Sequence, residues 1–373
     1  MNEMQAIGPL WRELAAAGEE YVLATIVAVE GSGYRKSGAK MIVAADGRRV
    51  GTISGGCLEA EVAKKAFWHT ENGPTKRSYS THAEDGDVPY GMGCGGVVHV
   101  LLERSATAEP LLQAMEQAYR SRVGMAVATV TVGERMGERR WRVDGTMPTG
   151  AERADSLTSL AFEAFELKQT RWTGDVFVEW VAPRTGLLIV GAGNDTQPLA
   201  RMAHELGWHV TVMDGRSHLA TRERFPQSDA VLPLSEDALQ ELTLRPTDVA
   251  AVMSHSLEQD TRALRGLVDR ELAYLGVLGP RTRTEEMVKG LAEATQNEEK
   301  AARRLATKWM VQLHAPMGLD LGGDGAAAVA LSILAEMQQK LQQRSGQPLR
   351  ETRANAHRTV AQEAPMEHAT VLG

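Results

Sequence analysis

Cysteine is nearly absent, with 2 residues in a chain of 373. That excludes a disulfide-stapled secreted scaffold. Aromatic residues are sparse at 5%, and no apolar run reaches the roughly 18 residues that a transmembrane helix needs. The longest run, Ala326 to Ala335 (AAAVALSILA), reads as a packed helix. The start of the chain, MNEMQAIGPLWREL, lacks the cationic opening and apolar core of a secretory signal. Positive charge is not in excess either. The formal net charge of −7 excludes a bulk electrostatic affinity for nucleic acid or an anionic membrane. The expectation is a protein of the reducing cytoplasm with no nucleic-acid or membrane partner, where paired cysteines signal reactivity or metal more often than a bridge.

What is abundant is glycine, at 36 residues, and both thiols lie among glycines: Cys57 in SGGC and Cys94 in GMGCGG. The length suits two domains, and 43% apolar with 24% charged residues suits globular ones. Residues 21–30 (YVLATIVAVE) read as a strand rich in branched side chains. Residues 40–54 read as a hairpin turning at Asp46-Gly47. SGGC then opens a helix with Leu58, Val62, Ala63, Ala66 and Phe67 on one face, and after an acidic stretch VVHVLLE reads as a strand. The order recurs from residue 124, with Asp144-Gly145 in place of Asp46-Gly47, a helical SLTSLAFEAFEL and a closing strand DVFVEWV. This reads as an internal duplication. Aligning PTGAERAD with SGGCLEAE leaves the second copy without the glycine pair and the thiol.

Beyond Pro183 short β-branched strands alternate with helical runs, which predicts a parallel sheet with βαβ crossovers. The fold class is therefore α/β. A mixed α+β domain spans 1–183 and a Rossmann-like parallel-sheet domain spans 184–340. The tail, 341–373, has no apolar period and is expected to be disordered. The charged stretch from Arg281 to Lys308 reads as a solvated helix or helix pair.

Three motifs carry chemistry. In GLLIVGAGNDTQPLARMAHELGWHVTVMDGR a strand runs into Gly191 and Gly193, followed by Asn194, a helix and a second strand ending at Asp214. Close glycines let backbone approach a phosphate at a helix start. Asp214 follows Gly191 by 23 residues, near the spacing of a ribose-binding acid. Thr196 stands where a third glycine is usual, and Arg216 is placed to contact a phosphate or stack on a base. Both an occupied and a vestigial nucleotide site fit this pattern, and NAD(P) or another nucleotide is the cofactor it would take. The second motif is Ser54-Gly55-Gly56-Cys57, where glycines form an anion nest and a helix start favours thiolate. A small residue buried at a tight turn is the alternative for Cys57. Zinc is not expected, because no CxxC pair exists and His69, His82 and His99 keep no ligand spacing. His99 alternates with Val97 and Leu101 on a strand and reads as a core or interface residue. The third set lies after strands of the second domain: Ser254-His255, Gly279-Pro280-Arg281, and HAPMGLD from His314. His255 and Arg281 are candidates for holding phosphate or for acid–base work.

SGGCLEAEV, GMGCGG before VVHVLLE, LLIVGAG, VTVMDGR, the stretch from Ser254 and His255 to Asp260, and HAPMGLDLGGD together resemble the XdhC/CoxI family, in order over roughly residues 20–335. The resemblance implies an accessory protein in the maturation of xanthine dehydrogenase and related molybdenum hydroxylases. It implies that the chain binds molybdenum cofactor (molybdopterin), supports its sulfuration with a cysteine desulfurase as partner, and inserts it into the apo-hydroxylase as a chaperone rather than a turnover enzyme. A homodimer is expected with it. Cys57, with Cys94 as second thiol, then carries the role near molybdenum or a transferred sulfur. The sequence departs from the family pattern at His255, where SHSL replaces a THDH-like run, and at Gly279-Pro280-Arg281, where GSR is more usual. The alternative reading is an NAD(P)-dependent oxidoreductase or a nucleotide-sensing protein built on the second domain.

Overall fold

The computed structural model describes residues 3–80, 96–145 and 155–351, and of Cys57 the backbone. Cys94, His82 and the tail beyond residue 351 lie outside the described residues. The chain divides into two compact units, Met1–Pro183 with Pro348–Gly373, and Arg184–Gln347.

In the first unit, α1 (Glu3–Ala17) is followed by β1 (Tyr21–Glu30), β2 (Lys40–Ala44), β3 (Arg49–Gly51), α2 (Cys57–His69), β4 (Thr75–Ser80), β5 (Val97–Arg104) and α3 (Ser105–Ser121). Then come β6 (Met125–Val130), β7 (Arg139–Val143), α4 (Ser156–Leu167), β8 (Arg171–Trp172) and β9 (Val176–Val181). Two antiparallel sheets result, ordered β3-β2-β1-β5-β4 and β7-β6-β9-β8. Without β3 the two orders are the same strand for strand. The registers agree as well. Thr25 faces Lys40 and Leu23 faces Glu103 in the first sheet, and Thr129 faces Arg139 and Val127 faces Glu179 in the second. The internal duplication is thus visible in the pairing. Its alignment at the helix needs correcting, because α2 opens at Cys57 and α4 at Ser156, so Ser156 holds the thiol's place in the second copy.

The central strands β1, β2 and β6 are buried on both faces and read as nearly continuous apolar runs, whereas the outer strands β3, β4, β7 and β8 are partly exposed and polar. One face of the first sheet (Leu23, Ile42) shares a core with Met125 and Val127 of the second sheet and with Ile7, Leu14 and Leu112 of α1 and α3. The other face (Ala24, Ile26, Met41) packs on Leu58, Val62 and Ala66 of α2. α4 covers the second sheet in the same way through Leu157, Ala161 and Ala164.

Between the sheets lie two charge pairs related by the repeat. The Lys40 ammonium donates to both Glu179 carboxylate oxygens at 2.7 Å and to the Gly38 carbonyl at 3.0 Å. Arg139 makes the corresponding buried pair with Glu103. Each cation follows a glycine by two residues, Gly38 (φ 96°) and Gly137 (φ 88°). A Cβ at either glycine would stand 3.0 Å from Glu179 Oε1 or 3.1 Å from Glu103 Oε1. Each glycine therefore turns the chain where the acid must approach. Burial pushes the Glu103 carboxyl upward, against the charge and hydrogen bond of Arg139.

The second unit contains β10 (Gly186–Val190), α5 (Thr196–Glu205), β11 (His209–Asp214), β12 (Ala230–Pro233), α6 (Glu236–Glu241), β13 (Val249–Val252), α7 (Leu257–Leu267), β14 (Tyr274–Val277), α8 (Arg281–Thr295), α9 (Glu299–Gln312) and α10 (Ala326–Leu341). Its sheet is wholly parallel, ordered β12-β11-β10-β13-β14, as a Rossmann-like domain requires. Leu187 and Ile189 face α5 and α10, while Leu188 and Val190 face α6, α7, α8 and α9. The charged run from Arg281 is a helix pair with one buried face, formed by Met287, Val288, Leu291, Ala302 and Trp309. Among the described residues no helix is long and apolar enough to cross a membrane.

Glu179→Gln, which leaves the Lys40 ammonium buried without its counter-charge, is expected to lower the unfolding free energy by about 3–5 kcal/mol, read from urea denaturation. Lys40→Met combined with Glu179→Leu is expected to recover most of that loss. A double variant as unstable as the single one would show that charge does not set the cost.

Candidate functional site

In the first unit, residues 53–57 turn from the first sheet into α2. Gly56 is the cap residue, with φ 115°, and Cys57 is the first helical residue. Ser54 is buried, while Gly55 and Gly56 are exposed. The turn is fixed from inside by Glu59, a residue that motif reading passed over. Its carboxylate accepts from the backbone N–H groups of Ile53 (3.0 Å), Ser54 (2.7 Å) and Gly56 (3.0 Å), and from the Ser54 hydroxyl. Ser54 Oγ in turn accepts from the N–H groups of Gly56 and Leu58, both at 3.1 Å. Gly56 has no side chain with which to cap the helix, and Ser54 supplies the missing oxygen. Glu at the third helical position, reaching back to the cap N–H, is half of a capping box; that spacing was the available signal. Burial alone would raise the Glu59 carboxyl, but the hydrogen bonds from Ser54, its backbone and Ile53 outweigh it and hold the group below the usual carboxylate range. The Gly56 N–H thus points inward to protein acceptors, so the anion-nest reading loses one of its donors. What remains outside is exposed glycine backbone leading into a helix that starts on a thiol-bearing residue.

In the second unit the strand order reverses between β10 and β13, which places a crevice at their C-terminal ends. Gly191, with φ 128°, is required there: a Cβ would stand 2.5 Å from the Met253 carbonyl and 2.8 Å from the Ser254 Cα. His255, also in the left-handed region at φ 60°, follows β13, and its Nε2 lies 2.6 Å from Asp195 Oδ2 across the crevice. Its side chain is 62% exposed. Asn194 Oδ1 accepts from Arg224 at 3.0 Å.

Asp214 is not placed as a free ribose acceptor. It is 0% exposed. One oxygen accepts from the Arg216 N–H (2.8 Å) and Nε (2.9 Å), and the other from the Ala192 N–H (2.7 Å) and Arg216 Nη2 (2.7 Å). Those bonds fill the roughly four acceptor sites of a carboxylate. Burial works to raise this carboxyl, and the bonds from Arg216 and Ala192 hold it below its usual range. Arg216 Nη2 also donates to the Ser254 carbonyl at 3.0 Å, linking the end of β11 to that of β13 across β10.

The structure brings Gly191, Gly193, Asn194, Asp214, Arg216 and His255 to one crevice, and it does not bring Arg281 there. Arg281 is 65% exposed and pairs with Glu285 at 2.8 Å along α8, lining a groove between α8 and α9. Arg283, which sequence reasoning did not single out, is the one that turns back. It pairs with the buried Asp260 at 2.6 Å, and Asp260 accepts from Ser254 Oγ at 2.6 Å. His99 sits between the two sheets of the first unit, 3.0 Å from Glu30 and stacked on Trp172. Among the described residues no group of three or more His, Cys, Asp or Glu could hold a metal ion.

The α+β unit and the Rossmann unit each match a described class. The description of the XdhC and CoxI family matches residues 14–80, and that of the XdhC Rossmann domain matches residues 187–337. The chain is 30% identical over 328 residues to a Bacillus subtilis protein named as a probable xanthine dehydrogenase subunit, covering 86% of this chain and 92% of that protein. This chain belongs to the XdhC and CoxI family. It is also 26% identical over 339 residues to the molybdenum cofactor insertion chaperone PaoD of Escherichia coli, covering 87% of this chain and 85% of PaoD. A crystal structure described as a xanthine dehydrogenase from Bacillus halodurans is similar at a TM-score of 0.69 and 27% identity, covering 94% of this chain and 99% of that one.

Because the Glu59 carboxyl is held low, its stabilising share is complete above the usual Glu range of about 4.3 and is lost as pH falls through the folded value. Glu59→Gln is expected to lower the melting temperature at neutral pH, and the gap to wild type is expected to narrow in melts taken below about pH 4. A gap that stayed constant into acid would remove the carboxylate from this account.

Proposed function

We propose that this chain carries molybdenum cofactor. It binds the cofactor as cargo, shelters it while a cysteine desulfurase supplies sulfur, and passes it to the apo form of a xanthine dehydrogenase-like hydroxylase. The observation that carries this reading is the turn at 53–57. Exposed glycine backbone, braced from behind by Glu59, leads directly into Cys57 at the start of α2. A thiolate is a soft ligand suited to molybdenum or to a sulfur in transit. The names of the relatives, PaoD above all, support the same role. Cys94 is proposed as the second thiol, and the α2 turn as the place where the cargo's metal end is held.

The crevice of the second unit supports a nucleotide reading less well. Its acid is already saturated by Arg216 and Ala192, and an NAD(P) ribose would have to displace one of these partners. An oxidoreductase or nucleotide sensor therefore ranks second.

Two measurements separate the readings. In anaerobic titration with molybdenum cofactor, Cys57→Ala is expected to bind at least about tenfold more weakly than wild type, a loss of roughly 1.4 kcal/mol. Equal binding would take the thiol out of the site. In calorimetry, NAD(H) and NADP(H) are expected to show no micromolar binding. Micromolar binding weakened by Asp214→Ala would favour the oxidoreductase.

A further inference from the structure

The loop joining β1 to β2, residues 31–39, presents Tyr34 with 70% of its surface exposed. This is not a loose tip. Gly33 packs so closely on β1 that a Cβ would lie 2.6 Å from Val29 Cγ1, and Gly96 lies so close to the loop's start that a Cβ there would meet the Ser32 carbonyl at 2.4 Å. Glu3 of α1 then pins the far side, accepting from Arg35 Nη2 at 2.6 Å and from the Lys40 N–H at 2.9 Å. A large apolar ring is thus held in water by a braced loop.

Its neighbour is Gly55. Unlike Gly56, Gly55 has no left-handed φ, and among the described residues a Cβ added to it would meet the Tyr34 ring, at an ordinary 3.8 Å. Among the described residues, neither backbone conformation nor packing requires glycine at 55. Its missing side chain leaves the exposed Tyr34 ring and the exposed 55–56 backbone side by side among the described residues, with Cys57 following in the chain. An exposed aromatic ring beside bare backbone suits a flat heteroaromatic system, which stacks on the ring and needs close approach to the chain.

We infer that Tyr34 and Gly55 form the platform that holds the pterin ring of the cargo by stacking, and so make the α2 turn selective for a pterin-bearing ligand. The inference rests on the cofactor-carrier reading and specifies which part of the cargo lies where. Cys57 addresses the metal end and Tyr34 the ring. Because the loop is braced in advance, little ordering is needed on binding.

The test uses full-length protein, with anaerobic molybdenum cofactor and metal-free pterin as separate probes. Tyr34→Ala is expected to weaken both by about tenfold or more, the range of alanine substitutions under a stacked base, whereas Tyr34→Phe keeps wild-type affinity. Pterin fluorescence, quenched on wild type and on Tyr34→Phe, is expected to stay bright with Tyr34→Ala. Gly55→Ala is expected to melt as wild type does and to weaken both probes, because its methyl group would stand beside the Tyr34 ring. Undiminished cofactor binding by Tyr34→Ala and Gly55→Ala would overturn the platform and leave the carrier reading standing. A wild-type protein that binds no molybdenum cofactor would overturn both.

Discussion

The first unit depends on two buried charge pairs that bridge its sheets, Lys40 with Glu179 and Arg139 with Glu103. A buried pair of this kind adds little net stability over a well-packed apolar pair, but losing one member is costly. Its value is positional. A one-residue slip in β2 or β7 would carry the cation to the opposite face of its sheet, where its acid could not follow. Each pair therefore locks the register of its own sheet and the match between sheets. The register of β1 with β2 in turn fixes where the loop 31–39 begins and ends, and so where Tyr34 stands relative to the α2 turn.

The two copies share this frame but differ at the helix. Cys57 and Glu59 open α2, whereas Ser156 and Thr158 open α4. α4 is capped conventionally by Asp155, which accepts from the Leu157 N–H at 3.2 Å. α2 has glycine at the cap instead and recruits Ser54 and Glu59 to compensate. A cap without a side chain leaves the approach to the helix start open. The sheet framework was kept in both copies, and the opening is found in the one that bears the thiol.

A buried carboxylate behind a glycine turn recurs in the second unit. Asp214 accepts from the Ala192 N–H between Gly191 and Gly193, as Glu59 accepts from the Gly56 N–H. In both cases donors that a glycine-rich motif offers to an anion are partly taken up by the protein's own acid. The consequences differ, however. At the α2 turn the acid lies underneath and Gly55 and Gly56 stay exposed, whereas at the β10 end Arg216 is drawn across the strand and closes with Ser254.

Much of the fold was legible in the sequence because burial leaves a period in it. The parallel strands, the Asp46-Gly47 turn, the helix after SGGC and the repeat itself follow from branched apolar runs and turn residues. Helices α1 and α3 are absent from the elements expected from sequence, although Met4, Ile7, Trp11 and Leu14 of α1 keep helical spacing. The family, too, could be recognised from short motifs in order. Other features depended on partners far apart in the chain. Lys40 and Glu179 are separated by 139 residues, and Asp195 and His255 by 60. Whether Asp214 is free or saturated, whether Arg281 or Arg283 turns toward the crevice, and whether Gly55 serves the backbone or a ligand are questions of side-chain geometry. The sequence by itself determined which residues could do chemistry, because residue type and local period set that. Only the tertiary structure decided which of their hydrogen-bonding sites remained available, because those are taken up by groups brought together in folding.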